Sequence, residues 1–173
     1  MAGDDARTPP PEASVLFAPH QRLARMAGRW EGLCRLWFAC DMLAAETRQQ
    51  GTLRPILRGR FLQHDYVWTF DDRPQAGIAL LGHHIDEQRW ECAWADSFHT
   101  GSSMMFSVSP DPPGSEAAIE VLGGHPGGRS RWGWRTRFEQ PSDDRLLITM
   151  RNVSPEGEET VAVEVAYARV GEP

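Results

Sequence analysis

The chain has 173 residues, a formal net charge of −6 and a hydrophobic fraction of 40%, which suits one soluble domain built on one core. The acidic balance, with a pI near 5.5, disfavours a nucleic-acid partner, because a polyanion is gripped by concentrated positive charge. All 18 basic residues are Arg, so neither a Schiff-base lysine nor a Gly-Lys phosphate loop is available.

Residues 1–13, with Thr8, Pro9, Pro10 and Pro11, read as a disordered tail, leaving 14–173 as a single domain. The N-terminus is acidic and has no apolar signal-type run, and no stretch of about 18 apolar residues follows. The expectation is a cytoplasmic protein without a membrane span. Pro19 to Ala27 reads as a short helix. Pro19 suits its first position, Leu23, Met26 and Ala27 make one apolar side, and Gly28 suits the exit.

From Trp30 onward apolar residues alternate and turn signals recur about every ten residues. The alternation predicts strands over 29–38, 51–57, 60–70, 75–83, 89–97, 102–109, 117–122, 129–139, 145–152 and 160–170. Asp41 to Thr47 reads as a helical turn or lid, and Gly123 to Gly128 as a flexible loop. The links are too short for helical crossovers, so the sheet should be antiparallel and up-and-down. Closing it on itself removes its edges. The expected fold is therefore all-β: a closed antiparallel barrel of about 8–10 strands behind a short N-terminal helix, with an interior wide enough for one small ligand. Pairing the first strand with the last would close it.

Cys34, Cys40 and Cys92 form no Cys-x-x-Cys, so neither a zinc site nor a dithiol motif is encoded, and an odd count fits a reducing compartment. Arg129, Arg131, Arg135 and Arg137 alternate with Trp and Thr, as a solvated strand face does.

The alternation sorts side chains into faces. Leu62, His64, Tyr66, Trp68 and Phe70 share one. Trp90, Cys92, Trp94, Asp96 and Phe98 share another, opposite Arg89, Glu91 and Ser97. Trp132, Trp134, Thr136 and Phe138 lie opposite Arg131, Arg135 and Arg137. The Trp-rich faces should line the lumen, with Trp68, Trp90, Trp94, Trp132, Trp134 and Phe98 as ligand-binding candidates. The same aromatics would also serve simply to fill a core. A buried Asp96 needs a partner; Thr100 or Ser102 at the rim would supply one.

Six segments, MAGRWEG at 26–32, RGRFLQHDY at 58–66, GIALLGH at 77–83, WADSFHT at 94–100, SPEGEE at 154–159 and AYAR at 166–169, together resemble a bacterial family, domain of unknown function 1579. The resemblance spans about residues 20 to 170 and implies a lipocalin-like (calycin) barrel. In such barrels a Gly-x-Trp opens the first strand, here Gly28 and Trp30. It implies that Trp30 plugs the closed end and that Arg169 packs across its ring. The family often has an acid where this chain has His64, and Tyr-Asp where it has His83 and His84. No activity comes with the resemblance.

Several functions follow as expectations. The first is binding of an apolar, aromatic or polyketide-like molecule in the Trp-lined lumen. The second is a cofactor-independent cyclase, isomerase or dehydratase. In it His64 would act as acid or base, Asp96 as its partner, and Tyr66 as donor to an oxyanion. The third is haem binding, as in nitrobindin-like barrels, through His64, His84, His99 or His125. A metal site of His83, His84 and Asp86 is disfavoured, since adjacent strand residues face opposite ways, and no metal or other cofactor is expected. Hydrolysis lacks a nucleophile motif. A homodimer is left open.

Overall fold

The computed structural model describes residues 18–171 except 41, 113, 115 and 116. The expected tail over 1–13 lies outside the described residues. Among them are one helix and ten strands. The helix α1 (Ala18–Arg25) leads into β1 (Gly28–Ala39), β2 (Met42–Ile56), β3 (Phe61–Phe70), β4 (Arg73–His84) and β5 (Arg89–Asp96). Then come β6 (Met105–Val108), β7 (Ala118–Gly127), β8 (Ser130–Ser142), β9 (Arg145–Val153) and β10 (Glu159–Val170). Each strand pairs antiparallel with its neighbours in sequence, and β1 pairs with β10, so the sheet is a closed up-and-down barrel. No helix among the described residues is long and apolar enough to cross a membrane.

The predicted faces are the observed ones. Leu62, His64, Tyr66 and Trp68 on β3, and Cys92, Trp94 and Asp96 on β5, are all buried. On β8 the inward Trp134, Thr136 and Phe138 are buried. Its outward Arg135 pairs with Glu120 and with Glu159 (2.8 Å), and Arg137 with Glu139 (2.8 Å). That is the solvated charged ladder expected of the Arg-rich stretch.

One end of the barrel is sealed by α1. Leu23 and Met26 are buried beside Trp30, which is 1% exposed. Its indole Nε1 donates to the carbonyl of Met26 at 3.0 Å. The Arg169 guanidinium lies 4.2 Å from the Trp30 ring centroid. It also donates to the carbonyls of Arg25 (2.8 Å), Asp143 (2.6 Å) and Ala27. A planar five-donor group does this where Lys would not. Its position opposite Trp30 follows from register, since Trp30 pairs directly with Arg169.

Three local expectations are corrected. Residues 42–47 belong to β2 rather than to a helical turn, because they pair with β1 (Ala45 with Leu36, Thr47 with Cys34) and Glu46 bridges to Arg35 at 2.7 Å. Cross-strand partners here override the helical preference of Ala and Glu. The glycine-rich stretch after Leu122 is β strand as far as Gly127, paired with β8. The sixth strand is shorter than the predicted 102–109, because residues 97–102 are held in a turn.

Candidate functional site

The sealed end places any site towards the other end, where β3, β4 and β5 deliver Tyr66, Trp68, Gly77, Trp94 and Asp96. An internal chamber of about 20 Å³ lies there. Gln49, His64, Tyr66, Asp96 and His99 form its polar wall, Ile148, Met150, Val163 and Val165 its hydrocarbon wall, and Trp68 and Trp94 also line it. Of the residues singled out in the sequence, His64, Tyr66, Asp96, Trp68 and Trp94 thus meet in one place. Trp134 joins by stacking on Trp94, with centroids 5.6 Å apart and planes at 16°.

Others are elsewhere. Trp90 sits near the helix end, edge-on to His83 at 4.7 Å and under Arg22. Trp132 lies against Gly127, where an added Cβ would meet its ring. Phe98 stands at the rim between Phe70 (4.9 Å) and Trp68 (5.2 Å).

The chamber is wired by two hydrogen-bond chains. In the first, Gln49 Nε2 donates to Tyr167 Oη at 2.6 Å, and Tyr167 Oη lies 3.2 Å from His64 Nε2. Burial pushes the His64 imidazole down to about 4, with the Asp65 carboxylate opposing. At neutral pH the ring is neutral, and because Tyr167 Oη already accepts from Gln49, its own proton is directed to His64 Nε2.

In the second chain Trp94 Nε1 donates to Tyr66 Oη at 2.8 Å, and Tyr66 Oη donates to Asp96 Oδ2 at 3.3 Å. His99 Nδ1 reaches the same oxygen at 2.8 Å. Asp96 Oδ1 accepts the backbone N–H groups of Phe98 (3.2 Å), His99 (2.5 Å) and Thr100 (3.0 Å). Burial pushes the Asp96 carboxyl up. The hydrogen bond and charge of His99 and the backbone donors outweigh this, and the net direction is down. A carboxylate so surrounded stays ionised.

Asp96 is therefore paired with His99 and Tyr66, not with His64. The backbone explains why. Asp96 ends β5 and captures three successive N–H groups, an Asx-type turn that folds the chain back and carries His99 into the lumen. Thr100, one of the two expected rim partners, also receives the Asp96 N–H on its hydroxyl at 2.7 Å.

His99 is the residue whose role the alternation could not reveal, because it lies past the strand. The Asp-x-x-His-Thr spacing from Asp96 to Thr100 was the available signal. Its imidazole is ringed by Phe98 (4.9 Å), Trp134 (5.5 Å), Trp94 (5.6 Å) and Trp68 (6.3 Å, planes at 21°). Its Nε2 is buried and has no hydrogen-bond partner among the described residues, and the same holds for Trp134 Nε1. Native structures rarely leave such atoms orphaned away from functional positions.

Two inward glycines make this arrangement fit. A Cβ on Gly77 would collide with the Tyr66 phenol, and one on Gly51 would come within 2.5 Å of Tyr167 Oη and 2.8 Å of His64 Nε2. Both tyrosines lie flat against backbone that only glycine leaves bare.

Covalent and metal chemistry find little here. Burial pushes the Cys34 and Cys92 thiols up to about 12, so both stay protonated. Among the described residues no three His, Cys, Asp or Glu side chains are placed to share a metal ion. His83 and His84 do not converge, for His84 turns to Glu87, its Nδ1 accepting that backbone N–H at 3.2 Å. Haem would require the chamber of about 20 Å³ to open much further than a small planar ligand would. Of the four candidate histidines, His64 is tied to Tyr167, His84 to Glu87, and His125 Nδ1 faces the Pro126 carbonyl at 3.2 Å, while His99 and His125 each keep a buried Nε2 without a partner among the described residues.

Comparison with known proteins adds a family. A solved protein of unknown function from the DUF3598 family of Nostoc punctiforme is similar at 8% identity and a TM-score of 0.27, covering 90% of this chain and 100% of that one. No curated protein matches. A family model described as protein of unknown function (DUF1579) matches residues 17–169. The chain, matched over nearly all of its barrel, belongs to the DUF1579 family.

Proposed function

We propose that this protein is a lipocalin-like binding barrel. Its ligand is a small, planar, mostly apolar molecule carrying one hydrogen-bonding group, taken up near the end opposite α1. The asymmetry of the chamber carries this reading: polar groups and two indoles from β2, β3, β5 and the turn after it lie across the barrel from hydrocarbon side chains of β9 and β10. Apolar lining with a few placed polar groups is the make-up of a ligand site.

The approach is apolar too. Phe38, 64% exposed at the rim, leads through Phe70 (5.8 Å) and Phe98 to Trp68. Exposed Met42 and Leu43, paired with Ala39 and Trp37 beside Phe38, extend this rim, and a clustered exposed apolar surface marks a contact site. As it stands the chamber holds roughly one water. The ligand enters by displacing adaptable side chains, above all Met150 on the hydrocarbon wall.

The test is a titration of the protein with planar aromatic alcohols and ketones, followed by Trp emission. Saturable quenching is expected for at least one compound. Met150→Ala, which enlarges the chamber, should tighten that binding about tenfold. If neither wild type nor Met150→Ala shows saturable quenching with any compound, the reading fails.

A further inference from the structure

We propose that His99, positioned by Asp96, is a general base that removes a proton from an acidic C–H beside a carbonyl in the bound molecule. This rests on the binding reading above and assigns that ligand a class: a planar, enolisable benzylic ketone or its vinylogue.

All the acceptor directions of the Asp96 carboxylate are taken: three backbone N–H groups hold Oδ1, and Tyr66 and His99 hold Oδ2. An acceptor-only carboxylate requires the proton of neutral His99 to sit on Nδ1. The lone pair is then on Nε2, the buried atom with no partner among the described residues. The aromatic ring of Phe98, Trp68, Trp94 and Trp134 fixes the plane of the imidazole. A base oriented by a third group, on a residue that lines the chamber and with one ring nitrogen free, is the arrangement that acid–base catalysis requires. His64 does not offer this, because its Nε2 is used by Tyr167.

The chemistry is proton transfer rather than covalent catalysis, since the chamber's thiol, Cys34, stays protonated. Nε2 takes the α proton. The C–H electron pair becomes the C=C of an enolate, and the carbonyl π pair moves onto oxygen. Trp134 Nε1, the second orphan, belongs to a ring 5.5 Å from the imidazole and supplies an N–H to the charged oxygen. The imidazolium formed is balanced by Asp96. Once the imidazolium N–H has exchanged with solvent, reprotonation of the same carbon replaces its α proton by a solvent one, and protonation of the conjugated carbon isomerises the double bond. No cofactor is consumed in either case.

The test uses 2-indanone in D₂O with the intact protein. Binding is read by Trp quenching and α-deuteration by ¹H NMR. Wild type should quench saturably and accelerate deuteration about 100-fold over buffer, the low end for a positioned base. His99→Gln, with its fold checked by near-UV circular dichroism, should lose the acceleration. Saturable quenching by wild type without acceleration overturns the dyad and leaves the binding reading standing, and so does undiminished acceleration in a folded His99→Gln protein. Absence of quenching by 2-indanone overturns the ligand class assigned here; the binding reading falls with it only if the wider panel gives no saturable quenching with wild type or Met150→Ala.

Asp96 acts through His99, so its role is read separately. Asp96→Asn presents an amide donor to Nδ1 and should move the His99 proton to Nε2, visible in imidazole ¹⁵N shifts. An Nε2–H tautomer already present in wild type would overturn the assignment even if the Asp96→Asn protein fails to fold.

Discussion

Two aromatic clusters, one at each end of the barrel, treat their polar groups differently. Around Trp30 the groups are matched. The indole N–H meets the Met26 carbonyl, and Arg169 spreads its donors over three carbonyls while covering the ring. Around His99 an equally aromatic environment leaves two ring nitrogens without partners among the described residues. Both ends bury Trp, so aromatic content does not distinguish a plug from a site. The difference lies in whether hydrogen bonding is completed internally or left for a visitor.

The sharpest test of that contrast is at the plug. Trp30→Ala removes a fully buried indole and the surface on which Arg169 rests. It should cost roughly 3–5 kcal/mol, read as a lower denaturation midpoint at unchanged slope. Affinity for any lumen ligand should stay within about twofold of wild type while the protein is folded. A variant of near-normal stability with altered binding would reverse the roles of the two ends.

The alternation in the sequence carried the fold because a barrel strand exposes one face and buries the other along its whole length. Leu62, His64, Tyr66 and Trp68 obey that rule, and so do Trp134 and Phe138. The plug was legible through Trp30 and Arg169 because each sits on a paired strand. The site was half legible. Tyr66 and Asp96 could be placed on inward faces, but their contact depends on register: Tyr66 lies opposite Gly77 on β4, and Gly77 opposite Asp96 on β5. Inward glycines read as gaps in a pattern, although Gly77 is what lets Tyr66 lie across to Asp96. His99 escaped because an Asx turn has no period; its direction comes from backbone hydrogen bonds to Asp96. The 42–47 segment misled for the opposite reason, since helix-forming Ala and Glu were recruited by a β1 edge that needed pairing.

A second test separates the two hydrogen-bond chains of the chamber. His64 titrates at about 4 in the folded protein against roughly 6.5 unfolded. The folded state therefore binds fewer protons between these values. The stability this represents is complete above pH 6.5 and is lost as pH falls towards 4, in total roughly 3 kcal/mol. His20 and His83, also pushed down by burial, contribute in the same direction. His64→Gln removes the titration and keeps a partner for Tyr167. Between pH 7 and 4.5 the variant should lose about 2–3 kcal/mol less than wild type in urea denaturation series. Equal losses would mean that His64 is protonated in the fold, and the chain from Gln49 would run the other way.

The smallest expected effect is the most discriminating. His99→Phe replaces the imidazole with an apolar ring of similar size in an aromatic surround. It removes a buried orphan nitrogen, which is unfavourable in the folded state, and deletes one of the bonds to Asp96. The carboxylate keeps Tyr66 and three backbone donors, so it is not left bare. These terms oppose each other, and the net change in stability should lie within about 1 kcal/mol of zero. A residue kept for packing would show a penalty closer to that of Trp30. A residue kept for what it does to a ligand can be replaced with little loss of stability and with complete loss of proton transfer, because the fold does not depend on the one atom that the chemistry needs.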